Sequence, residues 1–194
     1  MTPVHELPPP RGPAADLADG IRGAIPVLDT PRLRLRAMEM GDFVVMLEIL
    51  NGPRGDGIGG PMERRKAWFD FTQMQSTWTW RGHGWWTITD CNTGKILGFT
   101  GLGFEPGDLE PELGYFLTDA AEGRGYASEA ARAVQTFARE RLRFASVVSY
   151  INKDNARSVA VAERIGAVRD PAAETALGQD DTFVYRHHLT GGAP

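Results

Sequence analysis

The segment Glu122-Gly123-Arg124-Gly125-Tyr126-Ala127 constrains this chain more than any other. It sits between a strand-like run, Glu112 to Leu117 (ELGYFL), and a long helical pattern in which Ala127, Ala130, Ala131, Val134, Phe137, Ala138 and Leu142 recur at helical spacing. Glycines let the backbone turn with its N–H groups pointing inward, and a helix start adds unpaired N–H groups and a partial positive charge. Such a turn predicts a cradle for a phosphate or pyrophosphate. Arg124 offers a full charge, and the small Ala127 and Ala131 let a cofactor approach the helix. On spacing alone, a plain glycine turn before a helix fits equally well.

The flanking pattern alternates strands and helices. Arg32 to Arg36 (RLRLR) alternates charged and apolar residues, the period of a half-buried strand. Phe43, Met46, Leu47 and Leu50 suit a helix, Asn51 to Pro61 reads as a loop, and a second helix is expected from Met62 to about Gln75. Trp85 to Thr89 and Lys95 to Phe104 predict a hairpin across Cys91-Asn92-Thr93-Gly94. Ser146 to Ile151 and Thr182 to Leu189 read as strands. Ala156 to Ile165 reads as a helix that Gly166 stops. Four helices against six or seven strands predict a mixed α/β layer. The chain has 194 residues, 42% of them apolar, enough for one core. That domain is expected over residues 30–190. Residues 1–26, rich in Pro, Gly, Ala and Asp, read as a flexible tail, and Gly191–Pro194 as a frayed end.

Several function classes fall away. A net charge of −4, from 21 basic and 25 acidic residues, argues against a general nucleic-acid binder. The lone Cys91 demands no oxidising compartment. No apolar run is long enough for a membrane span, and the N-terminal residues carry no secretory signal, so the cytoplasm is the default location. Gly55, Gly57 and Gly60 match G-x-G-x-x-G, but they follow a helix rather than a strand, which removes the dinucleotide reading. His187 and His188, adjacent on a strand, point to opposite faces and do not share a metal. Trp85 and Trp86 read as core or as pocket wall. No metal site is expected.

GRGYASEA (Gly123 to Ala130) resembles the acetyl-CoA pyrophosphate loop of the GNAT N-acetyltransferases. Asn155-Ala156-Arg157-Ser158, followed by Val161-Ala162-Glu163-Arg164-Ile165-Gly166, is similar to their N-x-x-S…V-x-E-[KR]-x-G segment. TPRLRLR, TGKILGFTGL (Thr93 to Leu102) and ELGYFL are similar to the RimJ/RimL branch, the ribosomal-protein alanine acetyltransferases. The resemblance implies a twisted mixed sheet with helices on both faces and two splayed central strands. It also implies acetyl-CoA as co-substrate and no metal. The backbone of Tyr115, Phe116 and Leu117 would meet the pantetheine arm. Amides of Gly123, Arg124, Gly125, Tyr126, Ala127 and Ser128 would hold the pyrophosphate, and Asn155 would hydrogen-bond the arm near the thioester.

Two positions depart from the family pattern. Glu122 stands where Gln or Arg is usual, and a carboxylate beside a pyrophosphate is unfavourable unless it points away. Ala162 stands where many members carry the Tyr that protonates the leaving thiolate, which by analogy makes Ser158 the candidate acid. Acyl transfer to a primary amine needs a free nitrogen lone pair, and a general base can uncover it. Glu112, at the start of the strand that would carry the thioester, is the candidate. Glu105 is second, whereas Asp108 and Glu110 lie in a loop that is usually solvated. A protein N-terminus and a small-molecule amine both remain open as acceptor, as does a homodimer. Specificity is expected from Asn51 to Gln75, Trp78 to Trp86 and Glu105 to Glu110. A non-catalytic acyl-CoA-binding or regulatory module on the same fold is the alternative that Glu122 and Ala162 leave open.

Overall fold

One sheet organises the molecule. The computed structural model describes residues 2–53 and 55–189; the frayed end expected at Gly191–Pro194 lies outside them. In chain order the elements are α1 (Pro13–Gly23), β1 (Leu28–Asp29), β2 (Leu33–Ala37), α2 (Phe43–Leu50) and α3 (Arg64–Arg81). Then come β3 (Trp85–Asp90), β4 (Ile96–Gly103), β5 (Glu112–Leu117), α4 (Tyr126–Glu140) and β6 (Ser146–Asn152). α5 (Ala156–Arg164), β7 (Val168–Arg169), α6 (Pro171–Leu177) and β8 (Thr182–His188) complete it. The strand order is β1-β2-β3-β4-β5-β6-β8-β7. Neighbours run antiparallel except β5 and β6, which are parallel.

Side-chain alternation along the strands sorts the apolar residues onto two faces. One face packs Leu33, Leu35, Trp86, Ile88, Leu113 and Val147 against Ala130, Ala131, Val134, Phe137 and Ala138 of α4. The other packs Trp85 and Phe99 against Phe43, Met46, Ile49 and Leu50 of α2 and Ala67, Phe71 and Met74 of α3. Adjacent Trp85 and Trp86 therefore serve opposite layers. Helix ends follow local chemistry. The Glu63 side chain accepts from the N–H groups of Arg65 and Lys66 at the start of α3, and Gly82, in the left-handed region at φ 72°, ends it.

The mixed α/β sheet with helices on both faces is as expected. Among the described residues it has eight strands rather than six or seven, and six helices rather than four. The additions are short or weakly patterned: β1 and β7 have two residues each and α6 has seven, below the length at which periodicity speaks. Residues 2–26, within the segment expected as a flexible tail, carry a helix and several contacts with the domain. α1 forms there, with Pro13 at its first turn. Glu6 is buried against Arg64, whose Nε donates to it at 2.7 Å. Ile25 joins the core, and Pro26 O accepts from Trp86 Nε1 at 2.7 Å. A few anchoring contacts hold the segment where mean composition gave no sign of them. Among the described residues no helix is long and apolar enough to cross a membrane.

Candidate active site

The break in the sheet is the origin of the site. β5 and β6 share one register pair, Glu112 with Val148, and β5 is otherwise laddered only to β4. Thr118 N–H donates to Leu97 O at 2.9 Å. Antiparallel alternation then turns the backbone groups of Phe116, Gly114 and Glu112 toward β4, and those of Leu117, Tyr115 and Leu113 toward β6. With no strand beyond Glu112 to meet them, the Tyr115 and Leu117 groups face an open groove of about 770 Å³. Leu113 O is an exception. Ser149 Oγ donates to it at 2.6 Å, and the hydroxyl accepts from His187 Nε2, at 2.9 Å. His187 Nδ1 then accepts from Gln135 Nε2 of α4 at 2.9 Å. Burial pushes the His187 imidazole down to about 4, so a neutral ring completes this chain, which ties β5 to β6, β8 and α4 where the strands part.

The glycine turn forms the far end of the groove. Gly123 and Gly125 sit at φ 71° and 77°, a region that side-chain-bearing residues rarely adopt. The first helical bond of α4 runs from Glu129 N–H to Gly125 O, which leaves the amides of Tyr126, Ala127 and Ser128 without helical acceptors. Ser128 is buried, and its Oγ has no partner among the described residues. Open amides and an orphaned hydroxyl in one glycine cradle fit a phosphate-bearing arm. Arg32 braces the turn. Its Nε donates to Glu129 at 2.6 Å, its guanidinium donates to Arg124 O at 2.9 Å, and it stacks 4.6 Å from the Tyr126 ring centroid.

The residues expected to hold the cofactor lie along one groove, except for the side chain of Arg124. Tyr115, Phe116, Leu117, Gly123, Gly125, Tyr126, Ala127, Ser128 and Asn155 all line the groove. The Arg124 side chain is exposed and does not; Arg132, Arg157 and Arg164 on the facing sides of α4 and α5 supply the positive charge. Arg157 also donates to Glu122 at 3.0 Å, so the unusual carboxylate is paired with a cation. Asn155 caps α5, its Oδ1 accepting from Ser158 N–H at 3.1 Å, while Nδ2 donates to Gly57 O at 3.2 Å. Tyr115 Oη donates to Ser158 O at 3.0 Å. Ala162 is fully buried against Ile151, Ala167 and Tyr185, so its methyl belongs to the core.

A second cavity, of about 320 Å³, adjoins the groove and shares Tyr115, Phe116, Asn155 and Ser158 with it. Glu112 and Glu105 line it. Burial, and then the carboxylates of Asp108 and Glu105, push Glu112 up to about 8, against an opposing hydrogen bond from the Tyr150 amide. Burial and Asp108 likewise raise Glu105. Glu110 is not part of this cluster: the Arg186 guanidinium grips both its oxygens at 2.7 Å and holds its carboxyl below the usual range. Met62, just before α3, and Lys66, Asp70 and Met74, four residues apart along it, form the opposite wall. They come from one of the segments expected to set specificity, as Trp85 and Glu105 come from the other two. Gly55 and Gly60 are glycines for a steric reason, since a Cβ on either would lie 1.8 or 1.9 Å from Leu50 O. Among the described residues no group of three His, Cys, Asp or Glu could hold a metal ion.

A parted parallel strand pair, a helix opened by glycines and a half-buried carboxyl of raised proton affinity in the adjoining cavity are features of the acyl-coenzyme A transferase class. The chain belongs to the acetyltransferase (GNAT) domain family, whose model matches residues 32–168. It is similar to an acetyltransferase from Agrobacterium tumefaciens str. C58, with 40% identity, a TM-score of 0.81, and coverage of 85% of this chain and 95% of that one. Protein YkkB of Bacillus subtilis, uncharacterized, is 32% identical over 150 residues, 72% of this chain and 83% of YkkB. The fold also matches RimL, the ribosomal L7/L12 α-N-protein acetyltransferase, in complex with coenzyme A, at 18% identity and a TM-score of 0.69, over 86% of this chain and 100% of that one. Membership makes acetyl-CoA-dependent acetyl transfer the reaction class.

Proposed function

We propose that this chain is an N-acetyltransferase that moves the acetyl group of acetyl-CoA directly to a primary amine. The observation that carries the reading is Glu112, a half-buried carboxyl with a raised proton affinity in the second cavity, which adjoins the groove through Tyr115, Phe116, Asn155 and Ser158. Acetyl-CoA supplies an activated acyl carbon. The backbone of Tyr115 to Leu117 would pair with the pantetheine arm, and the amides of Gly123 to Ser128, with the Ser128 hydroxyl, would hold the pyrophosphate. Asn155 can reach the arm by giving up its bond to Gly57. Glu112 takes the proton that the amine nitrogen sheds as its bond to carbon forms and the carbon–sulfur bond breaks. Ser158, which lines both cavities, would hydrogen-bond the departing sulfur. A carboxyl of raised proton affinity beside the acceptor can take up a proton as the nitrogen attacks.

Pairing of Glu122 with Arg157 removes one of the two reasons for a non-catalytic module. Within the family we place the chain beside the RimJ/RimL branch, on the TPRLRLR and ELGYFL segments and the fold likeness to RimL. We place it in the cytoplasm, in keeping with its one exposed, unpaired cysteine, Cys91. Calorimetry should show acetyl-CoA binding on the order of micromolar Kd, with thiol release when an amine is added. Gly125→Glu, which strains the left-handed turn and puts a carboxylate in the cradle, should abolish binding while lowering the melting temperature of a protein that still folds. Normal binding by that variant would move the cofactor site elsewhere.

A further inference from the structure

The second cavity carries information about the acceptor, and the inference rests on the N-acetyltransferase reading above. Trp85 on β3 is in register with Gly101 on β4, which pairs with Gly114 on β5. The indole lies across both glycines: a Cβ on Gly114 would come within 2.4 Å of Cη2, and one on Gly101 within 2.8 Å of Cγ. In the neighbouring row Gly103 pairs with Glu112. A Cβ on Gly103 would lie 3.3 Å from Trp85 Nε1 and 3.8 Å from Glu112 Oε2. The indole N–H and the carboxyl therefore flank a single point. Trp85 is 6% exposed, yet its Nε1 has no hydrogen-bond partner among the described residues. A buried donor left unpaired costs free energy, and a ligand oxygen placed in the cavity removes that cost.

The remaining walls narrow the chemistry. Met46, Met62 and Met74 offer soft apolar surface. In its ionised form, the one that can take a proton, Glu112 attracts an ammonium group and repels a carboxylate, and an ionised Glu105 does the same. Lys66, the cationic side chain on this wall, is held by Asp70 at 3.0 Å. About 320 Å³ is at the small end for a ligand cavity. The Gly57–Ile58–Gly59 loop covers one side and is held to α5 by the bond from Asn155.

We propose that the acceptor is a small amine with an apolar body and a neutral hydrogen-bond-accepting oxygen two carbons from the nitrogen: the oxygen takes the Trp85 N–H, and the nitrogen meets Glu112. A free amino acid is disfavoured by its carboxylate, and a protein N-terminus by the size of the cavity. The test is an acceptor panel with the full chain and acetyl-CoA, read by thiol release. It comprises leucinol, 4-methylpentan-2-amine (the same skeleton without the hydroxyl), leucine, and a tetrapeptide beginning with leucine. Leucinol should give the highest kcat/KM, about tenfold above the deoxy amine, and leucine the lowest among the small amines. Trp85→Phe keeps an aromatic slab and removes the N–H. Gly103→Ala keeps the indole and sets a methyl group between Nε1 and Glu112. Both variants should bring the leucinol-to-deoxy ratio close to one while coenzyme A affinity holds. A tetrapeptide used better than leucinol overturns the proposal and leaves amine acetylation standing. So does a ratio near one in the unmodified protein, or a ratio that survives both variants. Coenzyme A binding with no amine acetylated overturns the N-acetyltransferase reading, and this proposal with it.

Discussion

Glu112→Gln should make the protein without acetyl-CoA more stable and the enzyme slower. The carboxyl is raised from the usual 4.5 to about 8, chiefly by burial and then by Asp108 and Glu105. A group whose folded value is raised contributes stability that is complete below 4.5 and is lost as pH climbs toward 8. Each pH unit in that window is worth about 1.4 kcal/mol, which sets an upper limit of about 5 kcal/mol by pH 9. Partial solvation of the site and relaxation of the neighbouring carboxylates reduce this to about 2–4 kcal/mol between pH 5 and pH 9. Gln keeps the shape and does not titrate, so the variant should gain on the parent by that amount across the same range. The assay is urea unfolding of both proteins at pH 5, 7 and 9, paired with thiol-release kinetics. At pH 7 kcat should fall by about 10²–10⁴-fold, the usual worth of a general base. A stability difference that stays constant within about 0.5 kcal/mol from pH 5 to 9 would refute the claim that burial keeps this carboxyl protonated. The raised proton affinity invoked for its role as base would fall with it.

His187 gives the opposite dependence. Its folded value is depressed from 6.5 to about 4 by burial, so its contribution is complete above 6.5 and disappears as pH falls toward 4. The loss should amount to about 3 kcal/mol, and an imidazole seen by NMR to titrate near 6.5 in the folded protein would contradict the neutral ring in the Ser149–Gln135 chain. Deleting residues 2–26 removes Ile25 from the core and the acceptor of the Trp86 indole, at about 2–4 kcal/mol. Deleting residues 2–23 spares both and should cost less, so equal losses in urea unfolding would show that neither contact matters.

Much of this architecture is legible in the sequence because its signals are local. The glycines at 123 and 125, the alternation of RLRLR and the small-residue stripe of α4 each follow from backbone or packing rules that act within a few residues. The groove beside β5 inherits that legibility, since contiguous backbone forms most of it. Arg124 shows the limit: a cation beside the cradle in sequence points to solvent, while Arg132, Arg157 and Arg164 reach the groove from two helices. The acceptor cavity is harder to foresee. It is assembled from α2, α3, β3, β5 and β6, and the spacing of Met62, Lys66, Asp70 and Met74 marks a helix face without saying what the face meets. Trp85 and Trp86 illustrate the same point. Alternation places them on opposite sides of a strand, but only the glycines at 101 and 114, two strands of partners away, make one of them a floor.

The single register pair between β5 and β6 has a mechanical consequence. The sheet is two ladders, one running from β1 to β5 and the other comprising β6, β8 and β7, joined at Glu112 and Val148 and by the Ser149 hook. Units with so few shared bonds open independently, and their amides exchange with solvent at different rates. A pantetheine arm laid in the groove would act as the missing rungs on the exposed edge of β5. Donor binding would thus join two foldons into one and slow hydrogen exchange at Tyr115 and Leu117. Since β6 supplies part of the acceptor cavity through Tyr150 and Ile151, that cavity would take its final shape only after the donor is seated. With the donor in the groove and the acceptor in the second cavity, as proposed above, donor would bind before acceptor.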